Sequence, residues 1–306
     1  MSKMAFLFPG QGAQVVGMGK EIYDHFETAR TFFDQADALL DFDLKTLVFH
    51  GPIEQLSETD YTQPALVAVE VMLLKVLAEV GIKPDVAAGL SLGEYTALVA
   101  GGALDGLDAV GLVRKRGQIM NAALPAGTTS MAAVLGMEVD TLQALLNLAD
   151  GVVEIANYNT PKQLVIGGEK SAVEDAVRLI KDAGIRKVIP LKTSGAFHTS
   201  LLKEAGEQLR IELEKIDFKA LTIPVVFNQT AKNQDRPLVE LMTAQVSSPV
   251  QFEASIRKML ADGVDLFVEV GPGTVLAGFL KRINPRAVVY HVHDVKSLEK
   301  LVEELK

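Results

Sequence analysis

The stretch from Gly89 to Gly93 constrains the fold more than any other part of this 306-residue chain. It reads Gly-Leu-Ser-Leu-Gly, follows an apolar run at residues 86–88 and leads into a helical pattern at residues 94–100. A serine at a sharp turn between a buried strand and a helix is typical of the nucleophile elbow, in which flanking glycines avoid collisions with both elements. Backbone N–H groups beside the Ser91 hydroxyl can stabilise an oxyanion. The motif predicts acyl transfer through a serine ester, with an ordinary glycine-rich turn as the alternative.

The order of apolar segments predicts an α/β protein. Strands alternate with helices along most of the chain, which indicates a large, α/β-hydrolase-like domain whose largely parallel sheet is covered on both faces. Residues 127–193 instead have the order β-α-β-β-α-β of a split-βαβ, ferredoxin-like unit. A turn is expected at residues 157–161, between the second and third strands of that unit. We expect a catalytic domain formed by residues 1–126 and 194–306, with residues 127–193 inserted as a small lobe.

The composition excludes several classes of protein. Cysteine is absent, so disulfides, thiolate metal sites and a cysteine nucleophile are excluded. The five histidines lack the spacing of a metal site, and no metal is expected. A net charge of −9 disfavours nucleic-acid binding. Because we find neither a signal peptide nor an apolar stretch of about 20 residues, we expect a cytoplasmic protein that does not bind membranes.

A nucleophilic serine needs a base within hydrogen-bond reach, and two histidines are candidates. His198 lies in a loop of small residues between a predicted strand and a predicted helix, where catalytic groups are common. His293 precedes Asp294 near the end of the chain, which suits hydrolases with the chain order serine, acid, histidine. Local sequence favours His198 and leaves His293 open.

Two further motifs each allow two interpretations. The Gly10-Gln11-Gly12 loop cannot complete a dinucleotide-binding fingerprint, because Val15 stands where a third small residue is required. The loop is then a plain turn or a backbone donor beside the nucleophile. The cluster Arg114-Lys115-Arg116 is either a solvated helix face or the source of an arginine that binds a substrate carboxylate.

Six motifs, in order along the whole chain, carry a resemblance to a known family. They are Phe8-Pro9-Gly10-Gln11-Gly12, Gly89-x-Ser91-x-Gly93-Glu94, Arg116-Gly117, Gly195-Ala196-Phe197-His198-Thr199, Gln245 with Pro249-Val250-Gln251-Phe252, and Glu269-Val270-Gly271-Pro272-Gly273. Together they resemble the malonyl-CoA:acyl carrier protein transacylases of bacterial fatty acid synthesis. The resemblance implies a malonyl-serine intermediate that passes malonyl from coenzyme A to the carrier protein.

The resemblance also implies a catalytic role for each matching residue. Ser91 would be the nucleophile and His198 its base, oriented by the backbone carbonyl of Gln245 in place of an acid. The backbone N–H groups of Gln11 and Leu92 would form the oxyanion hole.

Substrate recognition follows from two other positions. Arg116 would pair with the malonyl carboxylate, and Phe197 would exclude a 2-methyl group, although one methyl is worth only about 1–3 kcal/mol. One departure is Leu90, where many members of the family have histidine. We expect Leu90 to leave the chemistry intact.

The expected partners are malonyl-CoA and an acyl carrier protein. Because the carrier brings its own phosphopantetheine, no cofactor is expected for the enzyme. We also expect the enzyme to be a monomer. Because such carriers are acidic, docking should use exposed basic residues. The candidates are Arg186, Lys187, Lys192, Lys281 and Arg282. The alternatives are a serine esterase or thioesterase with the same elbow, and a non-catalytic carrier-docking module.

Overall fold

The structure, a computed structural model, describes residues 3–125, 127–191, 193 and 195–306 and contains two β-sheets. The first is parallel, with the order β7-β2-β1-β8-β9: β1 (Met4–Phe8), β2 (Val86–Gly89), β7 (Val225–Val226), β8 (Leu266–Val270) and β9 (Val288–Val292). The second is antiparallel, with the order β4-β5-β3-β6: β3 (Thr129–Leu135), β4 (Val153–Thr160), β5 (Gln163–Glu169) and β6 (Val188–Pro190). This order is that of a ferredoxin-like unit.

Helices connect the strands and cover both faces of the parallel sheet. In chain order they are α1 (Lys20–His25), α2 (Glu27–Leu39), α3 (Leu44–His50), α4 (Ile53–Leu56), α5 (Thr59–Glu79), α6 (Gly93–Ala100), α7 (Gly106–Ala123), α8 (Val139–Leu146), α9 (Lys170–Asp182), α10 (Lys203–Leu213), α11 (Leu238–Gln245), α12 (Phe252–Ala261), α13 (Val275–Ile283) and α14 (Val295–Glu304). Along β1, Phe6 and Phe8 face one buried cluster while Ala5 and Leu7 face another. The predicted fold class is confirmed: side chains on both faces of the strand are buried, as in a parallel sheet between two helical layers.

The long helix α5 corrects one expectation. It has 21 residues, and a window of mean hydropathy 1.4 is long and apolar enough to span a membrane. However, 78% of that window is buried inside the protein, so α5 is the core helix against which α7 and α2 pack. The expectation that no apolar stretch reaches the length of a membrane span was therefore wrong, because a central helix of a large core can reach the same length and hydropathy.

The edge of the antiparallel sheet is joined to the segment before α12. The N–H of Tyr158 donates to the carbonyl of Val250 (2.9 Å), and the N–H of Val250 donates to the carbonyl of Ala156 (2.8 Å). The turn expected at residues 157–161 is wrong in its first part, because β4 continues to Thr160 and pairs with β5 on one side and Val250 on the other. Pairing on both edges overrides the local turn preference of asparagine.

The expected division into two domains stays a prediction. All strands of the antiparallel sheet lie between Thr129 and Pro190. The expected boundaries at residues 126 and 194 fall on Ala126 and Ser194, which lie outside the described residues.

Candidate active site

The elbow has the strand, turn and helix that its sequence predicts. Strand β2 ends at Gly89, Ser91 has a φ of 53°, and α6 begins at Gly93. A Cβ atom on Gly89 would lie 2.0 Å from the carbonyl carbon of Gly93, and one on Gly93 would lie 2.1 Å from the carbonyl oxygen of Phe8. Both glycines are therefore required by close backbone packing, while Ser91 occupies the left-handed region that non-glycine residues adopt rarely.

His198 and Ser91 form the predicted pair. The Nε2 atom of His198 lies 2.6 Å from the hydroxyl oxygen of Ser91, and Nδ1 lies 3.0 Å from the backbone carbonyl oxygen of Gln245. Because a carbonyl only accepts, Nδ1 carries the ring proton and Nε2 is free to accept the serine proton. Burial, together with the charge of Arg116, lowers the pKa of His198 to about 4. The imidazole is neutral at pH 7 and therefore competent as a base.

The other candidate base lies elsewhere. The His293 ring stacks on His291 with centroids 5.1 Å apart, and its Nε2 lies 3.4 Å from a carboxylate oxygen of Asp294. His293 lines a separate cavity of about 220 Å³ beside Gly17 and Gly19. The structure does not bring His293 to Ser91, so the acid–histidine alternative finds no geometric support.

Arg116 is a buried cation next to the nucleophile. It is 1% exposed, and its guanidinium donates to the Ser91 hydroxyl oxygen (3.4 Å), to the Gln245 side-chain oxygen (3.1 Å) and to the Gln63 side-chain oxygen (2.9 Å). Among the described residues, no carboxylate forms an ion pair with it and its Nε–H has no acceptor. Glu94 acts on it through space, and burial raises the pKa of this carboxyl to about 8.

A cavity of about 190 Å³ opens onto Ser91 between the two sheets. Gln11 and Leu90 line it beside the elbow, and Phe197 and Asn157 line it from the side of the antiparallel sheet. Phe197 is 8% exposed, at the position expected to limit the acyl group. A second, larger groove of about 850 Å³ lies beside Thr129, and none of the predicted site residues lines it.

The two predicted oxyanion donors flank the nucleophile. Gln11 lines the cavity, and Leu92 follows Ser91 directly. Within the part of the chain that the structure describes, neither the N–H of Gln11 nor that of Leu92 has an acceptor. The Gly10-Gln11 loop is held against the elbow, since a Cβ atom on Gly10 would lie 2.5 Å from the carbonyl oxygen of Leu90. This proximity fits a backbone donor better than a plain turn.

Two residues of the site escaped the sequence analysis. Asn228, 3% exposed, accepts a hydrogen bond from the Ser91 N–H (2.6 Å) and donates one to the Gly89 carbonyl (2.6 Å). Gln63 is fully buried on α5 and holds the guanidinium of Arg116. Asn228 could have been predicted as a site residue from its position just after β7, because polar residues at the carboxyl ends of parallel strands often contribute to binding or active sites.

Comparisons with known proteins agree with this geometry. Residues 5–298 match the acyl transferase domain family. The chain is 45% identical over 311 residues to the malonyl CoA-acyl carrier protein transacylase of Bacillus subtilis, covering all of this chain and 98% of the relative.

Solved structures give the same result. The Clostridium perfringens malonyl CoA-acyl carrier protein transacylase superposes with a TM-score of 0.96 at 43% identity, covering 99% of this chain and 97% of the other. A second structure, described as a type II PKS acyl-carrier protein in complex with its malonyl-transacylase, has a TM-score of 0.96 at 36% identity and covers 99% of this chain and all of the other. The chain therefore belongs to the acyl transferase domain family and, within it, to the malonyl CoA-acyl carrier protein transacylases.

Proposed function

We propose that this enzyme transfers malonyl from malonyl-CoA to the phosphopantetheine thiol of an acyl carrier protein through a malonyl ester on Ser91. One observation carries the choice of acyl group. The guanidinium of Arg116 lies 3.4 Å from the nucleophilic oxygen, is buried, and forms no ion pair with a carboxylate among the described residues. A buried cation is costly unless it is paired, so an acyl group that brings a carboxylate is favoured. The names of the relatives support the same substrates.

In the first half-reaction the Ser91 oxygen attacks the thioester carbonyl while Nε2 of His198 takes the hydroxyl proton. The carbonyl oxygen becomes an oxyanion, which the N–H groups of Gln11 and Leu92 stabilise. The intermediate then collapses, the carbon–sulfur bond breaks, and His198 returns the proton to the departing coenzyme A thiolate. Malonyl remains as an ester on Ser91.

The second half-reaction reverses these steps with a different thiol. The phosphopantetheine thiol of the carrier gives its proton to His198 and attacks the ester carbonyl. The same oxyanion hole holds the intermediate, the carbon–oxygen bond to Ser91 breaks, and His198 reprotonates the serine oxygen. A neutral imidazole at the start of each half-reaction is necessary, and the lowered pKa of His198 provides it.

Selectivity arises at two positions in this proposal. Arg116 fixes the carboxylate of the bound acyl group through charge-assisted hydrogen bonds. Phe197 narrows the cavity and disfavours a 2-methyl substituent, which a pocket can reject by only about 1–3 kcal/mol.

Leu90 packs towards the apolar cluster around Phe279 and does not occupy the position of the base, so its presence in place of histidine leaves the dyad intact.

The proposal extends to the partner. Arg186 and Lys187 precede β6, Lys281 and Arg282 lie on α13, and all four are exposed. Leu191 and Phe279, which line the active-site cavity, lie close to these two groups along the chain. We propose that they attract the acidic carrier by long-range electrostatics. Lys192, the fifth candidate, lies outside the described residues. A monomeric, cytoplasmic enzyme without a cofactor remains part of the proposal.

Intact-mass measurement after mixing the protein with malonyl-CoA tests the proposed function. We expect a malonyl adduct that is absent in Ser91→Ala, persists in buffer, and is discharged when a carrier protein with phosphopantetheine is added. Continuous release of free malonate without a lasting adduct would instead assign the elbow to a hydrolase. No adduct and no turnover in the wild type would leave only a carrier-docking module.

A further inference from the structure

The side chain of Gln245 holds the peptide unit that follows the nucleophile. Its Nε2–H donates to the backbone carbonyl oxygen of Ser91 over 2.8 Å. This carbonyl and the N–H of Leu92 belong to one peptide unit, which is trans because the described cis bond lies at Gly51-Pro52. In a planar trans peptide the C=O and N–H point in opposite directions. Fixing the carbonyl on Gln245 therefore fixes the direction of the Leu92 N–H.

Asn228 holds the two preceding peptide units. Its Oδ1 accepts from the Ser91 N–H and its Nδ2 donates to the Gly89 carbonyl, each over 2.6 Å. Asn228 is itself fixed, because its N–H donates to a side-chain oxygen of Glu94 (2.7 Å) and its carbonyl accepts from the Gln251 N–H (2.8 Å). The φ and ψ angles of Ser91 are thus determined from both sides by carboxamides.

We propose that the side chains of Gln245 and Asn228 are positioning residues of the oxyanion hole. They hold Ser91 in its left-handed conformation and aim the Leu92 N–H at the place where the oxyanion forms. This inference rests on the proposed function, since it assigns a task within the same acyl transfer. Preorganised donors act strongly because they require no rearrangement when the charge develops.

Gln245 also links this hole to the acyl carboxylate. Its Oε1 accepts from the Arg116 guanidinium over 3.1 Å, while its Nε2 holds the elbow. The same carboxamide therefore contacts the group proposed to recognise the acyl chain and the peptide proposed to stabilise the reacting carbonyl. Its backbone carbonyl, which orients His198, is a separate contact. A side-chain variant removes the first two contacts and retains the third.

The closest apolar replacement, Gln245→Met, tests the proposal. Acylation is measured in single turnovers, with enzyme in excess over malonyl-CoA or acetyl-CoA, by intact mass of quenched samples. Loss of one oxyanion donor costs about 10²- to 10³-fold, so we expect misorientation of one to slow acetylation by about 10- to 100-fold and malonylation by at least as much. Acetyl-CoA isolates the oxyanion contribution because its acyl group has no carboxylate for Arg116.

Two readouts separate positioning from damage to the fold or the base. The pH below which the acylation rate falls, its acidic limb, should be the same as in the wild type, because the carbonyl contact to His198 is retained. The same substitution at an exposed glutamine of α8, Gln143→Met, is the matched control and should leave both rates unchanged. Unchanged acetylation in Gln245→Met, or a loss confined to malonyl, would overturn the proposal.

Asn228→Asp provides a second test should Gln245→Met fold poorly. It retains an oxygen that can accept from the Ser91 N–H but loses the donor to the Gly89 carbonyl. We expect acetylation to be about tenfold slower than in the wild type, because one of the two constraints is lost. Wild-type rates in this variant would contradict the role of Asn228. Failure of the proposed function is distinct, since the wild type would then form no adduct at all.

Discussion

Two arginines on the same helix, α7, have different surroundings. Arg114 and Arg116 are two residues apart, or about 200° around the helix axis, and so lie on opposite faces. Arg114 forms ion pairs with Asp41 (3.1 Å) and Asp60 (3.0 Å), and its guanidinium packs on the Tyr61 ring with 4.8 Å to the centroid. Arg116, which is more deeply buried, donates to the side-chain oxygens of Gln63 and Gln245 and to a serine hydroxyl.

The contrast separates a cation that is paired within the chain from one that has no carboxylate partner among the described residues. Arg114 has its counter-charges within the chain and needs no ligand. Arg116 has hydrogen-bond acceptors that fix its direction but, in the described residues, no carboxylate that pairs with it. The local run Arg114-Lys115-Arg116 does not distinguish the two, and Arg116 was singled out only by the family resemblance. What distinguishes them is the charge of their neighbours.

Removing the unpaired cation should have the largest effect. In Arg116→Ala we expect malonylation of Ser91 to fall about 10²- to 10³-fold, because loss of one partner of a buried charge pair costs several kcal/mol. Acetylation should change only a few-fold. Quenched-sample mass spectrometry with each acyl-CoA measures both. Equal losses for the two acyl groups would remove Arg116 from carboxylate recognition.

Retaining the charge while changing its geometry should have a smaller effect. Arg116→Lys retains a cation but loses the planar fork that contacts Gln63 and Gln245 together. We expect malonylation to slow by about tenfold, since the loss of a bidentate contact is a fraction of the loss of the charge. The ratio of malonyl to acetyl rates reports this, and a rate equal to that of Arg116→Ala would show that the fork matters more than the charge.

The paired arginine should affect stability and not catalysis. In Arg114→Met we expect the free energy of unfolding to decrease by roughly 1–2 kcal/mol, because Asp60 loses a partly buried partner and Asp41 is exposed. Malonylation should stay within twofold of the wild type. Urea unfolding and the acylation rate are measured on the same preparation. A selective loss of malonyl transfer would contradict the division between the two faces.

The smallest expected effect concerns pH. His198 acts as a base only when neutral, and its pKa of about 4 lies below the ordinary value of 6.5. The acylation rate should therefore hold as pH decreases through 6.5 and fall only near pH 4. Because Arg116 contributes to the lowered pKa, Arg116→Met should shift this acidic limb upward by less than about one unit. Circular dichroism at each pH checks that the fold persists.

Stability should follow the same titration. The unfolded chain protonates His198 near pH 6.5, whereas the folded chain does so near pH 4, so the contribution of this group is present above 6.5 and is lost as pH falls towards 4. Glu94 has the opposite sign, since its raised pKa of about 8 removes stability as pH rises from 4.5 through 8. The two groups face the same site and together favour a neutral interior near pH 7.

The fold class, the elbow serine and the favoured base could be predicted from local sequence, whereas the roles of Arg116 and Gln245 came from the family resemblance. The glycines of the elbow are required by contacts with residues close in sequence or on the first strand, and the split-βαβ order is visible as strand and helix spacing. Asn228 could not be predicted in its role, because it contacts Ser91 across 137 residues of chain. The same holds for Gln63, which reaches Arg116 from another helix. Contacts of this kind depend on tertiary packing and leave no periodic pattern.

The hydrogen bonds between β4 and Val250 have a consequence for how acyl groups enter. They connect the antiparallel sheet to the segment that follows Gln245, so both walls of the cavity are joined close to the catalytic centre. If the two walls separated here to open the cavity, these backbone hydrogen bonds would have to break in every catalytic cycle. We therefore expect the two walls to keep their separation while the pantetheine arm of each substrate enters the cavity. We then expect the width of this cavity to limit the size of the acyl group, in addition to the selection by charge at Arg116.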